Sequence, residues 1–297
     1  MKTTTKPPRF QVLFIVLLMI APLYSCSLLN VFERAEPPFV YEVHFVDVGQ
    51  GDAIYVVTPG KNVLIDGGRR NSGIVDYLKD LEVESIDIVI GTHPHADHIA
   101  GLIDVFHTFD VTEVIDPDVH YSTVTHRDYK TTIDSKEITF TAGRSGMEWQ
   151  LSEGAVMQIV NPSQPSTRHI NDASIVARIV FGDVAVLLAG DAEERAEREM
   201  LARREPLRSQ ILKVGHHGSI TSTTVDFLEQ VKPEVAVIMV GEGNRYAHPN
   251  EEILHNLEAA GAEIYRTDTH GSIVIKTNGV RYVIHTTSDE TLKESEH

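Results

Sequence analysis

The sequence predicts an α/β fold with two sheets and helices outside them. Short β-branched runs recur in both halves of the chain. Amphipathic stretches at helical spacing fall between them. A more polar middle, residues 111–153, separates the two strand-rich halves.

Residues 41–46 alternate as a strand, and strands over 53–57 and 62–65 follow, each closed by a glycine or proline turn. Ile74, Val75, Leu78 and Leu81 place a helix over 72–81. The run 86–90 reads as a strand and 99–106 as the next helix. The middle offers short strands at 114–115 and 138–140. Strands are then expected over 156–160, 174–181, 184–188, 210–214, 235–240, 263–266, 273–276 and 282–285. Helices are expected over 192–204, 224–230 and 250–260. In the first of these the glutamates come early and the arginines late, as the helix dipole prefers.

Of 297 residues, 42% are apolar, enough for a core. Acidic residues outnumber basic ones 43 to 26, for a net charge of −17 with histidine neutral. Such a surface repels nucleic acid at long range unless bound metal inverts the local field. The glycine-rich stretches hold neither a P-loop nor a dinucleotide fingerprint.

The single cysteine, Cys26, rules out an internal disulfide and a thiolate metal site. Lys2, Lys6 and Arg9 precede the unbroken apolar run 12–21, then Pro22, Ser25 and Cys26. That is the order of a secretory signal peptide, and the run is short against the roughly 20 residues of a membrane span. Leu23-Tyr24-Ser25-Cys26 resembles the lipobox of bacterial lipoproteins, with Tyr24 unusual in its slot. The expected organisation is a signal peptide or anchor over 1–25, a linker over 26–39, a domain over 40–286 and a polar tail over 287–297. The chain is expected outside the cytoplasm, held to the membrane by a lipid on Cys26 or secreted.

His93-Pro94-His95-Ala96-Asp97-His98 follows the 86–90 strand and offers four metal ligands within six residues. Imidazole nitrogen and carboxylate oxygen suit zinc, manganese or iron. His93 and His95 point the same way in an extended segment. Asp97 and His98 lie at the turn into the next helix, where they can address a second ion. Two ions about 3.5–4 Å apart clamp both the attacking and the leaving oxygen of a displacement, and a bound ion lowers the pKa of its water to about 7. Asp191, after an apolar strand, could bridge two ions or cap the helix after it. His216 and His217 again sit in a turn after a strand.

The order His-x-His-x-Asp-His, Gly190-Asp191 and His216-His217-Gly218-Ser219 resembles the metallo-β-lactamase superfamily. The segments 46–53, 64–68, 171–174 and 244–249 resemble its branch that holds the hydrolase domain of ComEC-type competence proteins and phosphorylcholine esterases. The resemblance spans about residues 41–285 and implies an αββα four-layer sandwich with the site at the open edge between the sheets. It implies two divalent ions, zinc or manganese. His93 and His95 would hold one, Asp97 and His98 the other, with Asp191 bridging. One of His216 and His217 completes the second set; His217 is favoured as ligand and His216 as a substrate contact. Many members supply a further histidine near 169–174, where this chain has Asn171, so the first site is ligand-poor and single-ion occupancy is open. Asp66 and Asp52 either support a ligand or fix their own turns, Asn171 supports a ligand or meets substrate, and His248 reaches the substrate or a leaving group.

The function implied is a metal-dependent hydrolase acting on phosphodiesters through an activated hydroxide, with Asp97, His216 and His248 as its catalytic side chains. DNA and an envelope phosphodiester are both candidate substrates. Two other readings stand beside it: a lactamase or lactonase, and a surface-anchored binding protein with a structural metal.

Overall fold

In a computed structural model, and beyond Met1, the structure describes residues 38–164 and 168–288. The signal segment, Cys26 and the tail from residue 289 lie outside them. The chain divides into Met1–Pro38 and Phe39–His297, and every element below belongs to the second unit.

In chain order the elements are β1 (Tyr41–Phe45), β2 (Ile54–Val57), β3 (Val63–Ile65), α1 (Ile74–Asp80), β4 (Ser85–Ile90), α2 (Ala96–Thr108), β5 (Asp110–Asp116) and α3 (Val124–Ser135). Next are β6 (Thr139–Ala142), β7 (Glu148–Ser152), β8 (Ala155–Asn161), β9 (Val176–Phe181), β10 (Val184–Leu188) and α4 (Glu194–Arg203). Last come β11 (Ile211–Lys213), α5 (Val225–Val231), β12 (Val235–Ile238), α6 (Glu251–Ala259), β13 (Glu263–Arg266), α7 (Thr267–His270), β14 (Ile273–Thr277) and β15 (Tyr282–Thr286).

Eight strands form one sheet in the order β15-β14-β1-β2-β3-β4-β5-β6, and seven form the other in the order β13-β12-β11-β10-β9-β8-β7. Strands β3 to β6 run parallel, as do β10 to β13. The period of two divides each strand between two cores. Ile88 and Ile90 of β4 meet Val186, Leu188 and Val237 between the sheets, while Val89 faces α2 with Leu102 and Phe106. Leu187, Leu212 and Ile238 face the other way, toward Met200, Phe227 and Leu257 of α4, α5 and α6. Both faces of the central strands are buried, which is why they read as near-continuous apolar runs. The result is four layers, helix–sheet–sheet–helix, as expected.

Three local expectations change. Helices α3 and α7 and strand β7 were not foreseen; α3 buries only Tyr129, Thr132 and Ile133 and starts at the Thr123 cap, whose side chain accepts from His126 N–H at 3.2 Å. Helix α2 starts at Ala96, so Asp97 and His98 lie in its first turn. Asp191 does not cap α4: Asp172 does, its Oδ1 accepting from Glu193 N–H and Ala196 N–H, each at 3.2 Å.

Candidate metal centre

The parallel strands β3, β4, β10, β11 and β12 end at the same edge, and the chemistry-bearing side chains lie just beyond them. The β1–β2 loop brings Asp52, the end of β3 brings Asp66, and the β4–α2 junction brings His93, His95, Asp97 and His98. From the other sheet, β10 leads to Asp191 and β11 to His216 and His217, and the loop after β12 carries His248. Gly51 lets the first loop approach: a Cβ there would collide with Asp97 O, the atom that accepts from Asp52 N–H at 3.2 Å.

Asp191 sits among the imidazoles. Its Oδ2 lies 3.2 Å from His98 Nε2, 3.5 Å from His93 Nε2 and 3.8 Å from His216 Nε2, and its Oδ1 lies 3.6 Å from His217 Nε2. His93 Nε2 and His95 Nδ1 are 2.9 Å apart. Two sets converge closely enough to hold an ion: His93, His98 and Asp191, and Asp97, His98 and His217. A third, Asp52, Asp66 and His98, lies deeper. His95 belongs to none of these sets, and neither does the exposed His169.

The outer atoms of these side chains are already committed. His98 Nδ1 faces Asp66 Oδ2 at 2.7 Å, and Asp66 is itself fixed by Thr92 N–H at 2.8 Å and Thr92 Oγ1 at 2.7 Å. His217 Nδ1 donates to Met239 O at 2.8 Å. Among the described residues, His98 Nε2, His217 Nε2, Asp191 Oδ1 and Asp52 Oδ1 are buried with no hydrogen-bond partner. Unpaired buried polar atoms facing one another are costly, and a divalent cation satisfies such a donor set. The residues therefore fit the ions that the sequence implies.

Charge reinforces the arrangement. Burial would raise the Asp191 carboxyl, but His98, His217 and His93 outweigh it and hold it well below the usual range. Burial would lower His98, but Asp191 and Asp66 hold it well above ordinary histidine. His93 is pushed well down by burial and then by His98.

His216 and His217 both adopt the left-handed region, at φ of 46° and 55°. That conformation is costly for residues with a Cβ and persists where surrounding bonds over-determine it. Here His216 N–H donates to Gly190 O at 3.1 Å, Ser222 Oγ to Gly215 O at 2.8 Å and Ser219 N–H to His216 O at 2.9 Å. The turn buries His217 and leaves His216 half-buried beside Glu193, whose Oε1 lies 3.1 Å from His216 Nδ1. Burial would lower His216, and the Glu193 contact and Asp191 raise it. Asn171 Nδ2 bridges the same group, 3.2 Å from Glu193 Oε1 and 3.5 Å from His216 Nε2. Asn244 holds His248 by accepting its N–H at 3.1 Å and donating to its carbonyl at 2.7 Å.

A pocket of about 280 Å³ opens over this cluster, lined in part by Gln50, His95, Asp97, Asp191, His216 and His248. Lys213, Glu193 and Thr92 also belong to the centre and were missed in the sequence. Lys213 looked like an ordinary strand residue; its place at a strand end two residues before Gly215 was the only signal.

Residues 46–242 match the metallo-beta-lactamase superfamily. The chain is 31% identical over 254 residues to recombination protein 2 of Haemophilus influenzae, covering 84% of this chain and 30% of that protein. It is 27% identical over 260 residues to ComE operon protein 3 of Bacillus subtilis, covering 78% of this chain and 32% of the relative. The chain thus spans about a third of the length of these relatives. Among solved structures, the fold is similar to CmlA, a diiron beta-hydroxylase from Streptomyces venezuelae, with a TM-score of 0.56, 14% identity and coverage of 81% of this chain and 55% of that one. It is also similar to the metallo-beta-lactamase fold protein YhfI from Bacillus subtilis, with a TM-score of 0.54, 11% identity and coverage of 80% and 100%.

Proposed function

The chain belongs to the metallo-beta-lactamase superfamily, as a metal-dependent hydrolase, and from that premise we propose that it cleaves phosphodiesters outside the cytoplasm. The observation that carries the reading is the pair His216 and His248. Their rings lie 5.8 Å apart on the pocket side of Asp191, and neither belongs to the converging ligand sets. Two imidazoles beyond those sets suit a substrate with anionic oxygens.

In this reading His93, His95, Asp97, His98, Asp191 and His217 hold two divalent ions, zinc or manganese. When bound, the ions activate water and neutralise charge on phosphoryl oxygens. Asp66 fixes the His98 ring so that Nε2 faces the centre, and Met239 O does the same for His217. His216, held by Glu193, meets a phosphoryl oxygen. Burial and the neighbouring His216 lower the His248 pKa, and its ring, 5.8 Å from that of His216 on the pocket wall, is placed to hydrogen-bond the leaving oxygen. Asp97 lines the pocket and completes the second ligand set. A structural site is normally closed by four protein ligands; the open pocket supports catalysis over storage.

The competence-related relatives support the phosphodiester class and an envelope location, and DNA, a choline phosphate on an envelope polymer and small phosphodiesters are all candidate substrates. The basic start, the apolar run and Cys26 support anchoring through a lipid on Cys26. Purified protein supplied with manganese or zinc should turn over bis-nitrophenyl phosphate or DNA. Failure on every phosphodiester with metal demonstrably bound sinks the reading, and strong nitrocefin or lactone hydrolysis would replace it.

A further inference from the structure

Lys213 is the only buried lysine or arginine among the described residues, and it lies beneath the metal centre. On β11 it points the same way as Ile211, into the space between the sheets. Its ammonium is ion-paired with Asp52 Oδ2, donates to Gly190 O at 2.8 Å and lies 3.9 Å from Asp191 Oδ1. Asp52 in turn lies against two ligand histidines, with Oδ1 3.4 Å from His217 Nδ1 and Oδ2 3.8 Å from His98 Nδ1. Asp52 also belongs to the deepest ligand set, with Asp66 and His98.

Buried carboxylates Asp52, Asp66 and Asp191 thus crowd one edge of the sandwich, and among the described residues Lys213 is the one buried lysine or arginine set among them. The cation comes from one sheet and its partner from the other. We propose that Lys213 is a resident counter-ion, a positioning residue that occupies the inner carboxylate niche and preforms the centre before any metal arrives. By neutralising Asp52 it holds that carboxylate against His98 and His217, which joins the two halves of the ligand set across the sheets. It also leaves the outer sets to exogenous ions. The inference rests on the metal-site reading above.

Electrostatics gives each substitution a sign. Lys213→Met leaves a buried carboxylate uncompensated, so the metal-free fold weakens and leans more on added cations. Asp52→Asn leaves an uncompensated ammonium beside Asp191, which repels an incoming dication. Removing both leaves neither charge. The experiment compares wild type, the two single variants and the double variant after chelation, by thermal melting with and without manganese and by calorimetric manganese titration. Lys213→Met should show a lower metal-free Tm than wild type and a larger rise in Tm on adding manganese. Asp52→Asn should bind manganese roughly 10- to 100-fold more weakly, the range for disrupted support of metal ligands. The double variant should melt above Lys213→Met without metal and bind manganese more tightly than Asp52→Asn, because no uncompensated charge remains, while staying below wild type because the Asp52 support of His98 and His217 is gone. A Lys213→Met protein that melts like wild type without metal overturns the proposal. So does a double variant that binds manganese no more tightly than Asp52→Asn, a comparison that holds even where Lys213→Met alone fails to fold. Wild type that takes up no ion overturns this proposal and the metal-site reading together; a flat cycle on metal-binding wild type overturns this proposal alone.

Discussion

Asp66 and His98 form a buried pair, Oδ2 to Nδ1 at 2.7 Å, that turns the other ring nitrogen of His98 toward Asp191 Oδ2 at 3.2 Å. The carboxylate fixes which nitrogen carries the proton and makes Nε2 the better donor to an ion. Asp66→Asn keeps an acceptor oxygen but loses the charge. Metal affinity should fall roughly 10- to 100-fold, with activity following it at limiting metal. Calorimetric titration of the chelated variant checks this, and an unchanged affinity would show that the pair serves the fold alone.

His216 and His217 are neighbours in sequence with opposite surroundings. His217 is buried with Nε2 unpaired, whereas His216 is half-buried and held by Glu193. Because both backbones are left-handed, asparagine is the least disruptive replacement. His217→Asn should lower the metal content of the purified protein. His216→Asn should keep the metal and lose turnover by about 100-fold or more, the scale of one positioned polar group at a reacting centre. Metal analysis beside steady-state kinetics separates them, and the reverse pattern would exchange their roles.

Much of this was legible in the chain because its signals are local. The 93–98 run, Gly190-Asp191 and 215–218 each come directly after an apolar strand, and strands that end at one sheet edge bring their adjoining loops together. The residues that were not legible act across sequence distance. Lys213 pairs with Asp52, Asp172 caps α4, and Glu193 reaches Asn171. Nothing in a window of neighbours announces such pairs. Helix α3 escaped for another reason: its β-branched and polar residues leave only a narrow apolar face. The different burial of His216 and His217 was not legible either, because the repeated residue type conceals it.

Glu197 on α4 is buried and caps the start of α5 from outside it. Its carboxylate accepts from Thr223 N–H, from Thr224 N–H at 2.9 Å and from Thr224 Oγ1 at 2.7 Å. Thr223 Oγ1 then accepts from Gly215 N–H at 3.2 Å, so the cap steadies the turn that presents His217. Glu197→Ala strands buried donors and should cost about 2–3 kcal/mol, on the scale of hydrogen bonds to a charged group. Glu197→Gln, which keeps an acceptor, should cost less. Urea denaturation with an unchanged m-value measures both, and equal losses would assign the effect to packing.

His44 gives the fold a pH dependence away from the metal centre. It is buried on β1, with Nδ1 2.9 Å from Tyr77 Oη and Nε2 3.0 Å from Glu42 Oε2. Burial lowers its pKa from the ordinary 6.5, more than Glu42 raises it. The unfolded chain therefore takes up a proton that the folded one declines, and stability falls as pH drops below 6.5 toward the lowered folded value. Glu42 extends the trend: Lys276 and His44 outweigh burial and depress its pKa below 4.5, so its contribution, present at neutral pH, is lost under stronger acid. His44→Gln removes the first titration and keeps polar atoms near both partners. The slope of unfolding free energy against pH, for chelated protein between about pH 7 and pH 5, should be shallower in the variant than in wild type. Parallel slopes would mean that the other histidines carry the dependence and that His44 titrates alike in both states.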